Sequence, residues 1–406
     1  MIRRDITNEL IESAKYFAAV AILGPRQSGK TTLAQQIFPN HNYVSLEDLD
    51  TRQMALNDPR KFLKDQRNSF GIILDEIQHA PELLSYIQTI IDAEKPVGHF
   101  IIAGSQNILV NQAVTQTLAG RIAILTLLPL SINELKQANL LPAEIELAAF
   151  QGGYPTIYSA QHQPNRLYAN YIRSYIERDV RDIKKIFDLN LFQKFLQLCA
   201  GRIGQVLNYT SLANDCGIDQ KTAQAWISLL QATYVIFLLQ PYYRNVSRRL
   251  AKSPKLYFVD TGIACNLLNI KSAEELSLHF AKGGIVESFV ISDLYKQYHN
   301  LGERPNLYFW RDYEGNEIDC VVEKALELFP IEIKAGQTIN SDYFKQFDYW
   351  QEVIAGPIEN NYVVYGGNRN ASWSNAQILS WQNIGQLVLS IERKPTKKSD
   401  GKQSKN

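Results

Sequence analysis

The sequence predicts an α/β protein whose amino-terminal part is a parallel sheet, and three observations carry that expectation. Apolar runs at Phe17–Leu23, Asn42–Leu46, Gly71–Leu74, Gly98–Ala103 and Arg121–Leu127 alternate with helical stretches. The first run ends in Gly24-Pro25-Arg26-Gln27-Ser28-Gly29-Lys30-Thr31, and the third ends in Asp75-Glu76. Glycine and polar residues therefore gather where the carboxyl ends of the strands would lie, the edge at which open α/β sheets bind ligands.

The run Gly24 to Thr31 fits G-x-x-x-x-G-K-[ST], set between a buried strand and a helix expected over Thr32–Phe38. Backbone N–H groups of such a loop and the positive end of the helix dipole converge on one point, so an anion belongs there. Gly24 and Gly29 permit the tight turn, Lys30 would neutralise β/γ-phosphate charge, and Thr31 would offer its hydroxyl to Mg²⁺. The expected phosphate contacts are Gly24, Gln27, Ser28, Gly29, Lys30, Thr31 and Thr32. Asp75, at the end of an apolar strand, would hold Mg²⁺ and its waters, and Glu76 would polarise the attacking water. The alternative for this pair is a strand that ends at a solvated acidic turn.

The fourth strand runs into Ser105, a candidate γ-phosphate or water sensor whose other reading is a helix cap. Gly120-Arg121 opens the fifth strand. Arg121 could stabilise phosphoryl charge in a neighbouring subunit, or it could pair with a local carboxylate. Pro129-Leu130-Ser131 then starts a helical region broken by Gln151-Gly152-Gly153-Tyr154-Pro155, which sets a first unit of residues 1–150.

Helices dominate from Pro164 to Leu230. Within them Thr210 to Ala223 reads as a capped helix, a turn at Gly217 and a second helix capped by Asp219, which is helix-turn-helix spacing. A β-rich run, Tyr234 to Leu239, and the basic series Arg244, Arg248, Arg249, Lys252 and Lys255 follow, so residues 151–259 read as a helical and winged-helix unit. Its candidate nucleic-acid contacts are Lys221, Arg244, Arg248, Arg249 and Lys252. The competing reading is a winged helix used as a lid or subunit contact, because the second helix offers no arginine for base readout.

Residues 260–392 form the third expected unit. Glu287 lies in a helical stretch, Asp319 in the strand Glu317–Val322, and Glu332 and Lys334 alternate on one face of Pro330–Lys334. Such a set suits a metal-dependent nuclease: Asp319 and Glu332 bind Mg²⁺, Glu287 supports the metal or its waters, and Lys334 orients or deprotonates water. Two other readings stay open, a solvated strand face and a nuclease-like fold kept as a binding platform with its acids in salt bridges.

Composition bounds the rest. With 406 residues, 45% of them hydrophobic, the chain can build three cores, and a net charge of +1 provides no global field for nucleic acid or membrane. Its four cysteines are far apart and suggest reduced cytosolic thiols. The amino terminus has no apolar leader and no run is long enough to span a membrane, so a cytoplasmic location is expected. The basic tail, residues 393–406, is expected to be disordered.

These motifs together resemble the predicted AAA-superfamily (AAA+) ATPases of bacteria and archaea that carry a carboxy-terminal domain of unknown function with a restriction-endonuclease-like core. The likeness rests on Gly24 to Thr32, Leu74-Asp75-Glu76-Ile77-Gln78, Ala103-Gly104-Ser105, Gly120-Arg121 and Pro129-Leu130-Ser131. It continues through Phe258-Val259-Asp260-Thr261-Gly262, Gly284 to Glu287, Phe309-Trp310-Arg311 and Ile331 to Lys334. The resemblance implies ATP and Mg²⁺ as ligands, hydrolysis assisted by Glu76, and Arg121 as a trans-acting finger. The resulting expectation is a homo-oligomeric ATPase coupled to a nuclease-like module acting on DNA. The rival is an ATP-driven switch whose last domain is an inactive platform for a protein partner.

Overall fold

The computed structural model describes residues 2–104, 117–160, 162–175, 188–243, 245, 252–354, 356–373 and 375–394. Ser105, Arg244, Arg248 and Arg249, together with the tail beyond residue 394, lie outside the described residues.

Five strands form the first sheet: β1 (Ala19–Leu23), β2 (Asn42–Ser45), β3 (Ile72–Asp75), β4 (Phe100–Gly104) and β5 (Ile122–Thr126). Each begins within two residues of its sequence expectation. The order is β2-β3-β4-β1-β5 and every pairing is parallel. All five residues of β1 and of β4 are buried, which a sheet covered by helices on both faces requires. Side chains alternate between two cores. Ala19, Ala21 and Leu23 pack with Leu74, Ile102 and Ile87, whereas Val20 and Ile22 pack with Ile6, Leu10, Leu33 and Ile101.

Past residue 127 the chain builds a second, eight-stranded sheet. Its strands are β6 (Ile236–Pro241), β7 (Lys255–Phe258), β8 (Leu307–Arg311), β9 (Glu317–Lys324), β10 (Glu327–Lys334), β11 (Tyr362–Tyr365), β12 (Ala371–Trp373) and β13 (Ala376–Ser380). The order is β12-β13-β11-β10-β9-β8-β6-β7. β8, β9 and β10 form an antiparallel meander, and β11 returns parallel to β10 after the helix Lys345–Ile354. The antiparallel hairpin β6–β7 joins this sheet because β6 pairs in parallel with β8.

One sheet thus takes strands from both sides of residue 259. One core does the same, running from Leu128 through Phe192, Trp226 and Phe258 to Ile291 and Ile391, where separate middle and carboxy-terminal cores were expected. The physical reason is the parallel β6–β8 pairing, which leaves no exposed edge between the two parts. The far face of the sheet carries its own cluster around Trp310, Ile318, Phe347 and Trp350.

The helix-turn-helix spacing is realised locally. Asn208 caps Tyr209–Cys216 by accepting the Ser211 N–H at 3.0 Å, Gly217 turns the chain at φ 87°, and Asp219 caps Gln220–Ala232 by accepting the Thr222 N–H at 2.9 Å.

Asp260 ties the middle helices to the break at Gly152. Its Oδ2 accepts the Gly153 N–H at 2.7 Å, and its Oδ1 accepts the Tyr168 hydroxyl at 2.7 Å and the Gly262 N–H at 3.0 Å. Among the described residues, no helix is long and apolar enough to cross a membrane.

Candidate functional site

The loop after β1 opens onto a cleft of about 830 Å³ lined by Arg26 to Leu33, Glu76, Ile2, Arg4, Leu130 and the segment around Pro155. Gly24 sits at φ 154° so close to β5 that a Cβ there would meet the Leu127 carbonyl oxygen at 2.1 Å. Gly29, at φ 93°, turns the chain into the helix Lys30–Ile37. No side chain caps that helix, so its first N–H groups point to the cleft end of the loop. Lys30 is buried, and its ammonium donates to the carbonyls of Gly24 at 3.1 Å and Pro25 at 2.7 Å.

The carboxyl edge of the sheet brings the third strand to the loop. Thr31 Oγ1 donates to Asp75 Oδ2 at 2.8 Å, so the hydroxyl and the carboxylate expected to share a magnesium ion already touch. Burial raises the Asp75 carboxyl, opposed by the Thr31 hydrogen bond and reinforced by Glu76. Glu76 follows in the left-handed region at φ 55° and is paired through its carboxylate with the Gln78 amide. The residues present fit a nucleotide triphosphate with Mg²⁺. An uncapped helix start, a buried lysine and a Thr–Asp pair converge there, and Ser28 Oγ is buried with no hydrogen-bond partner among the described residues.

Two contributors escaped sequence reasoning. Tyr43, on β2, donates its hydroxyl to Asp75 Oδ2 at 3.0 Å, and burial with the Asp75 charge pushes its phenol up to about 12. The signal available was its place on a strand beside the acidic one. Arg4, from the segment before the first helix, is buried beneath the loop. It donates to the Ser28 carbonyl at 2.7 Å, the Leu128 carbonyl at 2.6 Å and Glu134 Oε1 at 2.9 Å. Nothing local in Met1-Ile2-Arg3-Arg4 marks it, since its partners lie 24 to 130 residues away.

Arg121 is placed differently from the loop residues. It immediately precedes β5, which runs parallel to β1, so it lies at the opposite sheet edge, about 15 Å from the loop by strand rise. Its guanidinium pairs in fork fashion with Asp92, Nε to Oδ1 at 2.6 Å and Nη2 to Oδ2 at 3.0 Å. Within one chain it therefore makes the local carboxylate pair and does not reach the cleft.

The carboxy-terminal residues do gather. Lys334 Nζ donates to Glu332 Oε2 at 2.6 Å, and Asp319 Oδ2 accepts the Ile333 N–H at 2.8 Å. Glu287, on the helix Lys282–Asn300, accepts the Tyr257 hydroxyl at 2.5 Å. Burial, with the Asp319 charge adding, raises Glu287 to about 7 and Glu332 to about 8. Lys255 corrects the sequence reading. It does not extend a basic wing surface but is buried, its ammonium 3.0 Å from Glu287 Oε1 and 2.5 Å from Glu317 Oε1. Burial raises Asp319, opposed by Lys334 and Lys255. Lys221 and Lys252 are exposed, as contacts with a polyanion require.

Comparison with known proteins matches three stretches of the chain. Residues 16–136 match the family described as AAA domain, while residues 143–274 and 282–384 match two families described as domains of unknown function, DUF8612 and DUF4143. An uncharacterized protein of Mycobacterium tuberculosis is 27% identical over 341 residues, covering 83% of this chain and 74% of its own. An uncharacterized protein of Methanocaldococcus jannaschii is 23% identical over 406 residues, covering 86% of this chain and 81% of its own. Among solved structures, a Walker-type ATPase of Pyrococcus abyssi aligns with a TM-score of 0.43 at 15% identity, over 66% of this chain and 96% of that one. The amino-terminal stretch that holds the glycine loop and the parallel sheet is thus similar in sequence to the AAA domain family.

Proposed function

We propose that the protein is a Mg²⁺-dependent ATPase that works as an oligomer and couples hydrolysis to rearrangement of its helical and carboxy-terminal parts on DNA. The observation that carries the ATPase reading is the Thr31–Asp75 hydrogen bond of 2.8 Å beside the glycine loop and Lys30. Thr31 and Asp75 would hold Mg²⁺, which supplies charge neutralisation across the β- and γ-phosphates. Lys30 and the loop N–H groups bind the phosphates, and Glu76 orients and polarises the attacking water. Tyr43 and Thr31 fix the Asp75 carboxylate in place.

Coupling has a physical route. Arg4 links the loop carbonyl of Ser28 to Glu134, Glu134 closes a capping box with Ser131, and the next residue, Ile132, donates its N–H to Asp293 on the helix that carries Glu287. DNA contact by Lys221 and Lys252 rests on their exposure at a helix-turn-helix and hairpin. Turnover of purified protein, measured with and without supercoiled, linear and single-stranded DNA across a salt series, tests it. Stimulation that fades with salt supports DNA as the partner, and DNA-indifferent turnover removes it.

A second reading is favoured by one observation. The pairing of Lys255 with Glu287 and Glu317 supports an ATP-driven switch whose carboxy-terminal part is a protein-binding platform and not a nuclease. Incubation with DNA and Mn²⁺ separates the readings. Cleavage abolished by Asp319→Ala selects the nuclease, and no cleavage selects the platform.

A further inference from the structure

We propose that Lys255 is the resident cation of the carboxy-terminal acidic centre, which in this form is a closed ion network and not a divalent-metal site. The residues do not fit a metal. A hard divalent cation needs several oxygens with free lone pairs at about 2.0–2.6 Å, arranged around one point. One oxygen of each acid that would supply them is already engaged. Glu287 Oε1 accepts from Lys255 and from Tyr257, Glu317 Oε1 lies 2.5 Å from Lys255, and Asp319 Oδ2 accepts a backbone N–H from Ile333. Glu332 Oε2 is held by Lys334 at 2.6 Å, while Glu332 Oε1 is buried with no hydrogen-bond partner among the described residues.

The Lys255 side chain is 4% exposed, and its ammonium lies 5.5 Å from the centre of the Phe309 ring, so the ammonium itself is shielded from solvent and flanked by an apolar ring. A divalent cation entering there would have to compete with the Lys255 ammonium for the carboxylate oxygens it already holds. Among the described residues, no group of three or more histidine, cysteine, aspartate or glutamate side chains is arranged to hold a metal ion.

The network also has a mechanical consequence. Lys255 is carried by β7, at the edge of the sheet, whereas Glu287 lies on the long helix and Glu317 on β9. The ammonium fastens the hairpin to both.

Mn²⁺ titration of the full, nucleotide-free chain, followed by calorimetry and by Mn²⁺-dependent thermal shift, tests this. Wild type and Asp319→Asn should give the same isotherm, because no Mn²⁺ binds through Asp319. Lys255→Met should gain a Mn²⁺ site at least tenfold tighter than any in wild type, and Lys255→Met with Asp319→Asn should lose it again. Lys255→Arg, which keeps the charge, should gain nothing. Asp319-dependent Mn²⁺ binding by wild type overturns the proposal, as does a folded Lys255→Met that gains no site. Should Lys255→Met fail to fold, the comparison of wild type with Asp319→Asn decides by itself. These measurements contain no ATP, so their failure leaves the ATPase reading untouched, and failure of that reading leaves them untouched.

Discussion

Asp293 accepts the backbone N–H of Ile132 at 2.7 Å, joining the middle of the helix Lys282–Asn300 to the first turn of the helix Ile132–Gln137. Both groups are buried and lie 161 residues apart in sequence. Lys296, one turn further along, donates to the Leu130 carbonyl at 3.3 Å. The segment after the last strand of the P-loop domain is thereby clamped to the carboxy-terminal part. Replacing Asp293 with Ala should leave a buried N–H unpaired and cost about 1–3 kcal/mol, read by urea unfolding. Stability within error of wild type would mean that the clamp contributes nothing.

Lys30→Ala and Glu76→Gln should separate binding from chemistry. Without Lys30 the phosphates lose the loop cation, so a fluorescent ATP analogue should bind at least tenfold more weakly. Glu76→Gln should bind it normally and turn over at least a hundredfold more slowly, because water is no longer polarised. Equal affinity in wild type and Lys30→Ala refutes the site, and normal turnover by Glu76→Gln refutes the role of that residue.

Arg121 and Asp92 test the trans-acting finger. If Arg121 works only as the partner of Asp92, Arg121→Ala and Asp92→Ala should have the same small effect on turnover. A finger predicts a split: Arg121→Ala cuts turnover by orders of magnitude with ATP affinity retained, and Asp92→Ala does not. Adding Glu76→Gln subunits with Arg121 intact should then restore activity to Arg121→Ala subunits.

Glu332 predicts a pH dependence. Burial, with the Asp319 charge adding and Lys334 opposing, raises its carboxyl to about 8, above the unfolded value near 4.3. The folded state therefore favours the protonated form. Its stabilising contribution is complete below about pH 4.3 and is lost as pH rises through 8. Glu287, raised to about 7, adds the same trend. Wild-type Tm should fall between pH 5 and 9 more steeply than that of Glu332→Gln, and parallel curves would contradict the assignment.

Gly152→Ala should destabilise the junction with Asp260. The residue has φ 67°, and a Cβ would lie 2.2 Å from both Asp260 Oδ1 and the Tyr168 hydroxyl oxygen. A loss of about 2–4 kcal/mol is expected from strain and a broken buried network, measurable as a lowered urea midpoint. An unchanged midpoint would show that the network can shift at no cost.

The sequence by itself determined the parts governed by local rules. Alternation and apolar runs placed five strands within two residues of where they lie, and the glycine loop, Lys30, Thr31 and Asp75 met at one edge because parallel strands deliver their carboxyl ends together. The cap at Asp219 was legible for the same reason, since it acts within three residues, whereas the cap of the first helix is Asn208, before the Thr210 start expected for that stretch. What only the tertiary structure decided were contacts with no local signature. Arg4 reaches Glu134 across 130 residues, Tyr43 meets Asp75 across 32, and Arg121 finds Asp92 across 29. Lys255 is the clearest case. In sequence it continues a basic series, yet pairing of β6 with β8 brings β7 against the helix of Glu287, and burial there makes the same positive charge a counter-ion for acids. Charge type is written in the chain, but the dielectric and the partners that give a charge its role are set by packing.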